Sequence, residues 1–246
     1  CERIGVSKVA STVDYSFLEH CLREDLNETA QRVMAVLRPI KLTITNYPAG
    51  KTETVTVENN PLDPSAGTRE VPFSGSLWIE ADDFMAEPIP KYKRLTPNGP
   101  ECRLKGAYLI KCVGYETDEN GNVTEIAAEY DPDSRGGDPA DGRKVKGATI
   151  HWVDAETAVD AEVRLYDNLF SDPDPDGGDK NFLDCLNPNS LEVKECFIEP
   201  SVKDAKKGDR FQFMRNGYYI VDTKDTTDEH LVFNRIVPLK SSFKLK

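Results

Sequence analysis

Residues 40–47 read "IKLTITNY", and their alternation decides the fold class. Ile40, Leu42 and Ile44 alternate with Lys41, Thr43 and Thr45. That period of two is the signature of a strand with one buried and one wet face. Upstream the period differs. From about Thr12 to Leu37, the residues Tyr15, Leu18, Leu22 and Leu26 recur at three- and four-residue spacing, with Glu19, Arg23 and Glu24 between them, which predicts a helix. Asn27, followed by Glu28 and Thr29, reads as the N-cap of a second short helix carrying Val33, Met34 and Leu37, with Pro39 as its stop.

Downstream of residue 47 the strand pattern continues. KTETVTVE, VPFSGSLWIE, AYLIKCVGYE, VTEIAAEY, GATIHWV, AEVRLYDNLF, LEVKECFIE, RFQFMRNGYYIVD and LVFNRIVPL are separated by Gly-, Pro- and Asp-rich loops. ETDENGNVTEI reads as a hairpin turning at Asn120-Gly121. Many short strands of this kind favour barrels or sandwiches over α/β folds. Some 200 residues exceed one small barrel, so the reading is mainly β: a short N-terminal helical segment (1–38), then two antiparallel β-barrels (39–246) built from discontinuous chain segments.

The chain has 246 residues, 30% of them charged, and a formal net charge of −12. No apolar run approaches the roughly 18–20 residues of a spanning helix. No signal-peptide pattern is visible, and the chain starts at Cys1 rather than Met, which suggests a fragment. The six cysteines show no C-x-x-C pair, so free thiols are expected. The two N-x-T sequons, at Asn27 and Asn122, would matter only in a secreted protein.

Enzymatic chemistry finds little support. Asp172, Asp174, Asp176 and Gly177 carry the spacing of a calcium loop, but its twelfth position is Leu183 and two prolines stiffen it, so a solvated acidic loop is expected. Of the three histidines, His151 lies beside Trp152 in an apolar run and reads as a packed, hydrogen-bonded side chain. There is no G-x-S-x-G and no phosphate-binding glycine loop. What remains is a set of basic and aromatic segments: KYKRLTPNGPECRLK (91–105), GRKVKGATIHW and KKGDRFQFMRNGYY. Aromatic faces stack on bases, and Arg and Gln can hydrogen-bond the base edges that single-stranded RNA loops expose. The acidic loops DPDSRGGDPADG, SDPDPDGGDK and DTTDEH hold much of the negative charge, so a basic face can coexist with an acidic chain.

Several segments together resemble the C-terminal half of the glutaminyl-tRNA synthetase family. They include LEHCLREDLNETAQRVMAVLRPIKLTITNYP, REVPFSGSLWIEADDF, KYKRL, DPADGRKVKGATIHWV, EVRLYDNLFSDP, FQFMRNGYYIVD and VFNRIVPLKSS. The archaeal and eukaryotic type of glutamyl-tRNA synthetase has related barrels; the VPFSGSLWIE and VFNRIVPLK phrasing favours the glutamine family. The resemblance implies two barrels gripping a tRNA anticodon loop, a cytoplasmic monomer with tRNA-Gln as partner and no membrane contact, and no cofactor in this part. ATP and Mg would belong to a catalytic domain whose motifs are missing from the sequence. The chain would then bind RNA without activating glutamine.

Residue by residue, the resemblance implies that Arg32 contacts the middle anticodon base, with Gln212 and Arg215 in the same pocket. Arg94, with Lys93 beside it, matches the reader of the third base, and Arg103 that of the first. Lys91 and Lys105 stand where the family has glutamine and arginine, so any paired hydrogen bonds there are weakened. The segment from Lys91 to Lys105 is expected to form a hairpin facing the RNA, with the acidic loops suppressing non-specific polyanion binding. A β-rich protein-interaction module without an RNA role is the rival reading.

Overall fold

The computed structural model describes residues 15–240, together with Arg3, Gly5, Val6, Lys8, Val9 and Val13. Helix α1 (Tyr15–Thr29) leads into β1 (Gln31–Val33), β2 (Ala35–Val36) and β3 (Pro39–Ile44). Next come β4 (Glu53–Glu58), β5 (Thr68–Phe73), β6 (Ser76–Glu80), β7 (Cys102–Leu104), β8 (Leu109–Thr117) and β9 (Val123–Tyr130). The short β10 (Thr149–Ile150) and β11 (Val153–Asp154) precede β12 (Val159–Tyr166) and β13 (Leu191–Ile198). Strands β14 (Arg210–Phe213), β15 (Gly217–Val221) and β16 (Leu231–Pro238) follow.

Two seven-stranded sheets result, both barrel-like. One runs β1-β14-β15-β16-β12-β13-β2 and the other β10-β7-β8-β9-β3-β6-β11. In each, the first and last strands are near neighbours in sequence: β1 and β2 flank Met34, and β10 and β11 flank His151 and Trp152. One short stretch thus zips to both edges of its sheet, which removes the unpaired edges that invite aggregation. The ladders are mainly antiparallel, but β1–β14, β7–β10, β12–β16 and β3–β9 pair in parallel. The chain enters the first barrel at residues 31–36, builds the second from 39–154, and returns to the first from residue 159.

The "IKLTITNY" stretch behaves as its alternation demands: Ile40, Leu42 and Ile44 are buried while Lys41 and Thr43 are partly exposed. Leu42, Leu77, Ile79, Leu104, Ile126 and Trp152 form the centre of the second barrel's core. The β4–β5 hairpin is a separate two-stranded sheet that caps it, with Val55, Val57, Val71 and Phe73 turned inward. The Phe73 ring meets Trp152 edge-on at 5.0 Å. The first barrel is filled by Val33, Phe213, Tyr219 and Phe233.

Two local expectations are corrected. The predicted second helix is the strand pair β1–β2, because pairing with β14 and β13 buries Val33, Met34, Ala35 and Val36 completely. A lone helical turn there could bury only one stripe. Asn27 is accordingly no cap; it lies within α1. The segment from Lys91 to Lys105 is not a hairpin. It is a loop, bridged from Leu95 to Phe84 and tied by the Ala148 amide to Lys93 O, and it enters β7 only at Cys102. The β8–β9 hairpin forms as its sequence predicts: Gly121 takes positive φ (83°), with Asp118 N–H donating to Asn122 O and Gly121 N–H to Asp118 O. That is a type I turn with a bulge.

The barrels meet where their zipping stretches break. His151, buried, donates from Nε2 to Ala35 O at 2.9 Å and accepts at Nδ1 from Arg215 at 3.3 Å. A carbonyl can only accept and a guanidinium only donate, so His151 is the neutral tautomer protonated on Nε2. Glu80 accepts the Leu37 and Arg38 amides and the Asn216 side chain, each at 3.0 Å. Trp78 of β6 stacks on Phe197 of β13 at 4.7 Å. Glu199, wholly buried, accepts the Met34 amide at 2.9 Å and a bidentate Arg69, which fastens the capping hairpin to the same junction.

Candidate RNA interface

The basic residues sort into three groups. The first is a row across the first barrel. Strand register sets Arg32 of β1 beside Gln212 of β14, and Gln212 beside Tyr218 of β15. Arg32 Nε donates to Gln212 Oε1 at 2.7 Å and its Nη2 to Asn27 Oδ1 at 3.1 Å; the Tyr218 hydroxyl reaches the same Asn27 oxygen at 3.3 Å. Helix α1 lies over this row through Leu26, and Ala30 just past its end joins Leu26 in packing with Tyr218 and Val237. Burial holds the Tyr218 phenol above its ordinary pKa despite Arg32 and Arg23 nearby. The row therefore sets a half-buried planar guanidinium beside a buried amide.

The second group straddles the barrels. Asp83, at the end of a short 3-10 turn (Ala81–Asp83), is fully buried. Arg215 donates to both its oxygens, at 2.6 and 2.7 Å, and Arg94 Nε lies 3.3 Å from Oδ1. Arg94 Nη1 and the Tyr92 hydroxyl both donate to Asp82 O, at 3.1 and 3.0 Å. Burial, and then the Asp83 charge, push the Tyr92 phenol up to about 12. Asp82, Arg94 and Arg215 line a cleft of about 600 Å³ together with Lys194, Tyr219 and Arg235.

The third group lies at β7. Arg103 Nε donates to Gly137 O at 2.8 Å and Nη2 to Asp138 at 3.3 Å. Gly136 and Gly137 both have φ of 92°, a conformation open to glycine, and this bend brings the Gly137 carbonyl to the guanidinium. Arg103, Lys105 and Thr149 line a pocket of about 280 Å³ with Gly106 and Gly137. Lys91 and Lys93 are exposed on the neighbouring loop and make no ion pair among the described residues. Lys91 takes a positive φ of 70°.

Of the residues singled out in the sequence, the fold brings Arg32 to Gln212, and Arg215 to Asp83 in the company of Arg94. Arg143, also part of the basic set, is taken up by Glu101, Asp131 and Asp141. In the acidic loop, the Asp172 carboxylate is held by Lys180 at 2.7 Å. Asp83, Asn27 and Tyr218 were missed. Their only advance sign was weak: for Asp83, a second acid in the apolar stretch WIEADDF.

Two family descriptions match the chain, both reading "tRNA synthetases class I (E and Q), anti-codon binding domain", over residues 30–131 and 149–222. A glutamine–tRNA ligase of Clostridium perfringens is 56% identical over 246 residues, all of this chain and 44% of that protein. One from Clostridioides difficile is 56% identical over 245 residues, 99% of the chain and 44% of the relative. One from Vibrio cholerae is 52% identical over 243 residues, 99% and 43% respectively. The chain spans less than half the length of these curated relatives.

Proposed function

The chain belongs to the anticodon-binding domains of the class I tRNA synthetases for glutamate and glutamine, and we propose that it binds the anticodon loop of tRNA-Gln as the C-terminal part of a glutamine–tRNA ligase. The observation that carries this reading is the end-to-end identity with glutamine–tRNA ligases. The three groups built around Arg32, Arg94 with Arg215, and Arg103 supply one site for each splayed base. In this reading Arg32 and Gln212 meet the middle base, Arg94 the third and Arg103 the first. Lys91, Lys93 and Lys105 supply positive charge to the backbone rather than paired hydrogen bonds. ATP, Mg and the glutaminylation chemistry belong to the remainder of the ligase, which acts as a cytoplasmic monomer, and this chain alone activates no amino acid.

Fluorescence anisotropy with labelled stem-loops bearing CUG, UUC and a scrambled anticodon, at two salt concentrations, tests the reading. Preference for CUG with affinity falling as salt rises is expected. Preference for UUC would transfer the chain to the glutamate enzymes. Equal, salt-independent binding to all three would refute an anticodon role. Truncating Arg32 or Arg94 should cost about 1–3 kcal/mol, selectively for one base.

A further inference from the structure

A carboxylate removed from water is costly unless compensated by charge and hydrogen bonds. Asp83 is compensated twice over, by guanidiniums from different barrels: Arg94 on the loop before β7, and Arg215 in the β14–β15 turn. Each arginine is held a second time. Arg94 Nη1 is fixed on Asp82 O, and Arg215 Nη1 also donates to the neutral His151 ring. Arg215 further adopts a left-handed backbone, φ of 67°, which a non-glycine residue occupies at a cost of about 1 kcal/mol unless its surroundings impose it. The β14–β15 turn imposes it: the Asn216 N–H donates to Phe213 O, with Arg215 at the third position of that turn. Arg94 Nη2 and Arg215 Nε nevertheless have no protein partner among the described residues, and the two side chains remain 38% and 30% exposed on the cleft. Their inner donors are spent on the protein and their outer donors are still available.

We propose that Asp83 is a positioning residue for base reading: it locks Arg94 and Arg215 into one paired orientation, so that the two barrels present these guanidiniums to the RNA as a unit. This rests on the anticodon-binding reading above. Fixing two long side chains in advance removes the ordering cost that each would otherwise meet on binding. It also couples them, because any shift of one changes the carboxylate on which the other rests.

The test uses the whole 246-residue chain with a CUG stem-loop and loops changed only at the third or only at the middle base. The wild-type chain should lose roughly ten- to a hundredfold affinity on the third-base change, the size of one paired base contact. D83N, isosteric but uncharged, should shrink that penalty to about threefold or less while leaving the salt slope unchanged. D83E should restore part of it. Uniform weakening of every loop, with the base penalty intact, would make Asp83 merely structural and overturn the proposal. If D83N does not fold, R94K and R215K on intact Asp83 decide. A double variant whose third-base penalty departs from the product of the single effects supports the shared anchor, and simple multiplicative behaviour refutes it. Absence of any loop preference in the wild-type chain would instead refute the anticodon reading itself, and the proposal with it.

Discussion

Glu80 offers a quantitative test of how the barrels are joined. Its carboxylate ends β6 and straps the crossover between barrels by accepting the Leu37 and Arg38 amides and the Asn216 side chain. Burial alone would raise its pKa. Its neighbours outweigh burial: the His151 ring, whose Nε2–H edge lies 3.7 Å from Oε1, comes first, then the Leu37 amide and Asn216, and together they bring it from 4.5 down to about 2. A depressed carboxylate contributes stability that is fully present above its unfolded value and is lost as pH falls through the folded value. A fall from 4.5 to about 2 corresponds to about 3 kcal/mol at neutral pH. Glu80→Gln imitates the protonated group and should be less stable than wild type by that amount at pH 7. Urea unfolding of both proteins, followed by Trp fluorescence from pH 7 to pH 2, isolates Glu80 because other carboxylates cancel in the difference. The gap should hold down to about pH 5 and close between there and about pH 2. A gap that stays constant across the range, or no gap at neutral pH, would refute the assignment of Glu80 as an ionised strap.

Three further outcomes follow from the packing and the charge layout. Phe73→Ala removes the ring that seats the capping hairpin on Trp152 and should cost about 3–5 kcal/mol in denaturant unfolding; a cost under about 1 kcal/mol would mean that the hairpin is not part of that core. Lys93→Ala removes an exposed charge without disturbing an ion pair, so it should weaken CUG and scrambled loops alike and reduce the salt slope by about one. Selective loss at one base would contradict that assignment. Gly137→Ala places a Cβ at φ of 92° and 3.6 Å from Arg103 Cδ. It should destabilise the chain by about 1 kcal/mol and loosen first-base discrimination more than total affinity; equal loss for every loop would sever Arg103 from base reading.

The sequence was most legible where a strand has one wet face. β3 follows its alternation residue by residue, since the pleat forces Ile40, Leu42 and Ile44 to one side. It was least legible over residues 31–36, where QRVMAV carries no alternation. Residues 33–36 are buried one after another, while Gln31 and Arg32 keep partial exposure, because one stretch closes two edges of a sheet. A strand covered on both faces and a helix stripe look alike at that length, and only long-range pairing separates them. The same limit governed the site. The resemblance named Arg94 and Arg215 separately, 121 positions apart in the chain, but their common counter-ion is a side chain whose burial no local pattern announces.

The places where local pattern fails are also the places where the barrels touch. A strand that closes its sheet must switch partners midway, and the switch leaves backbone groups that neither ladder satisfies. In the first barrel the break falls at Met34 and Ala35, whose groups are met by Glu199, His151 and Asn216. In the second it falls at His151 and Trp152, whose side chains reach Ala35 and Lys105 carbonyls. The second barrel thus helps to complete the first barrel's break through His151, and Arg215, which holds Asp83, donates to that same ring. A sliding or reorienting barrel would have to surrender these bonds together, so the spacing between Arg94 and Arg215 is fixed by the same contacts that close the two sheets.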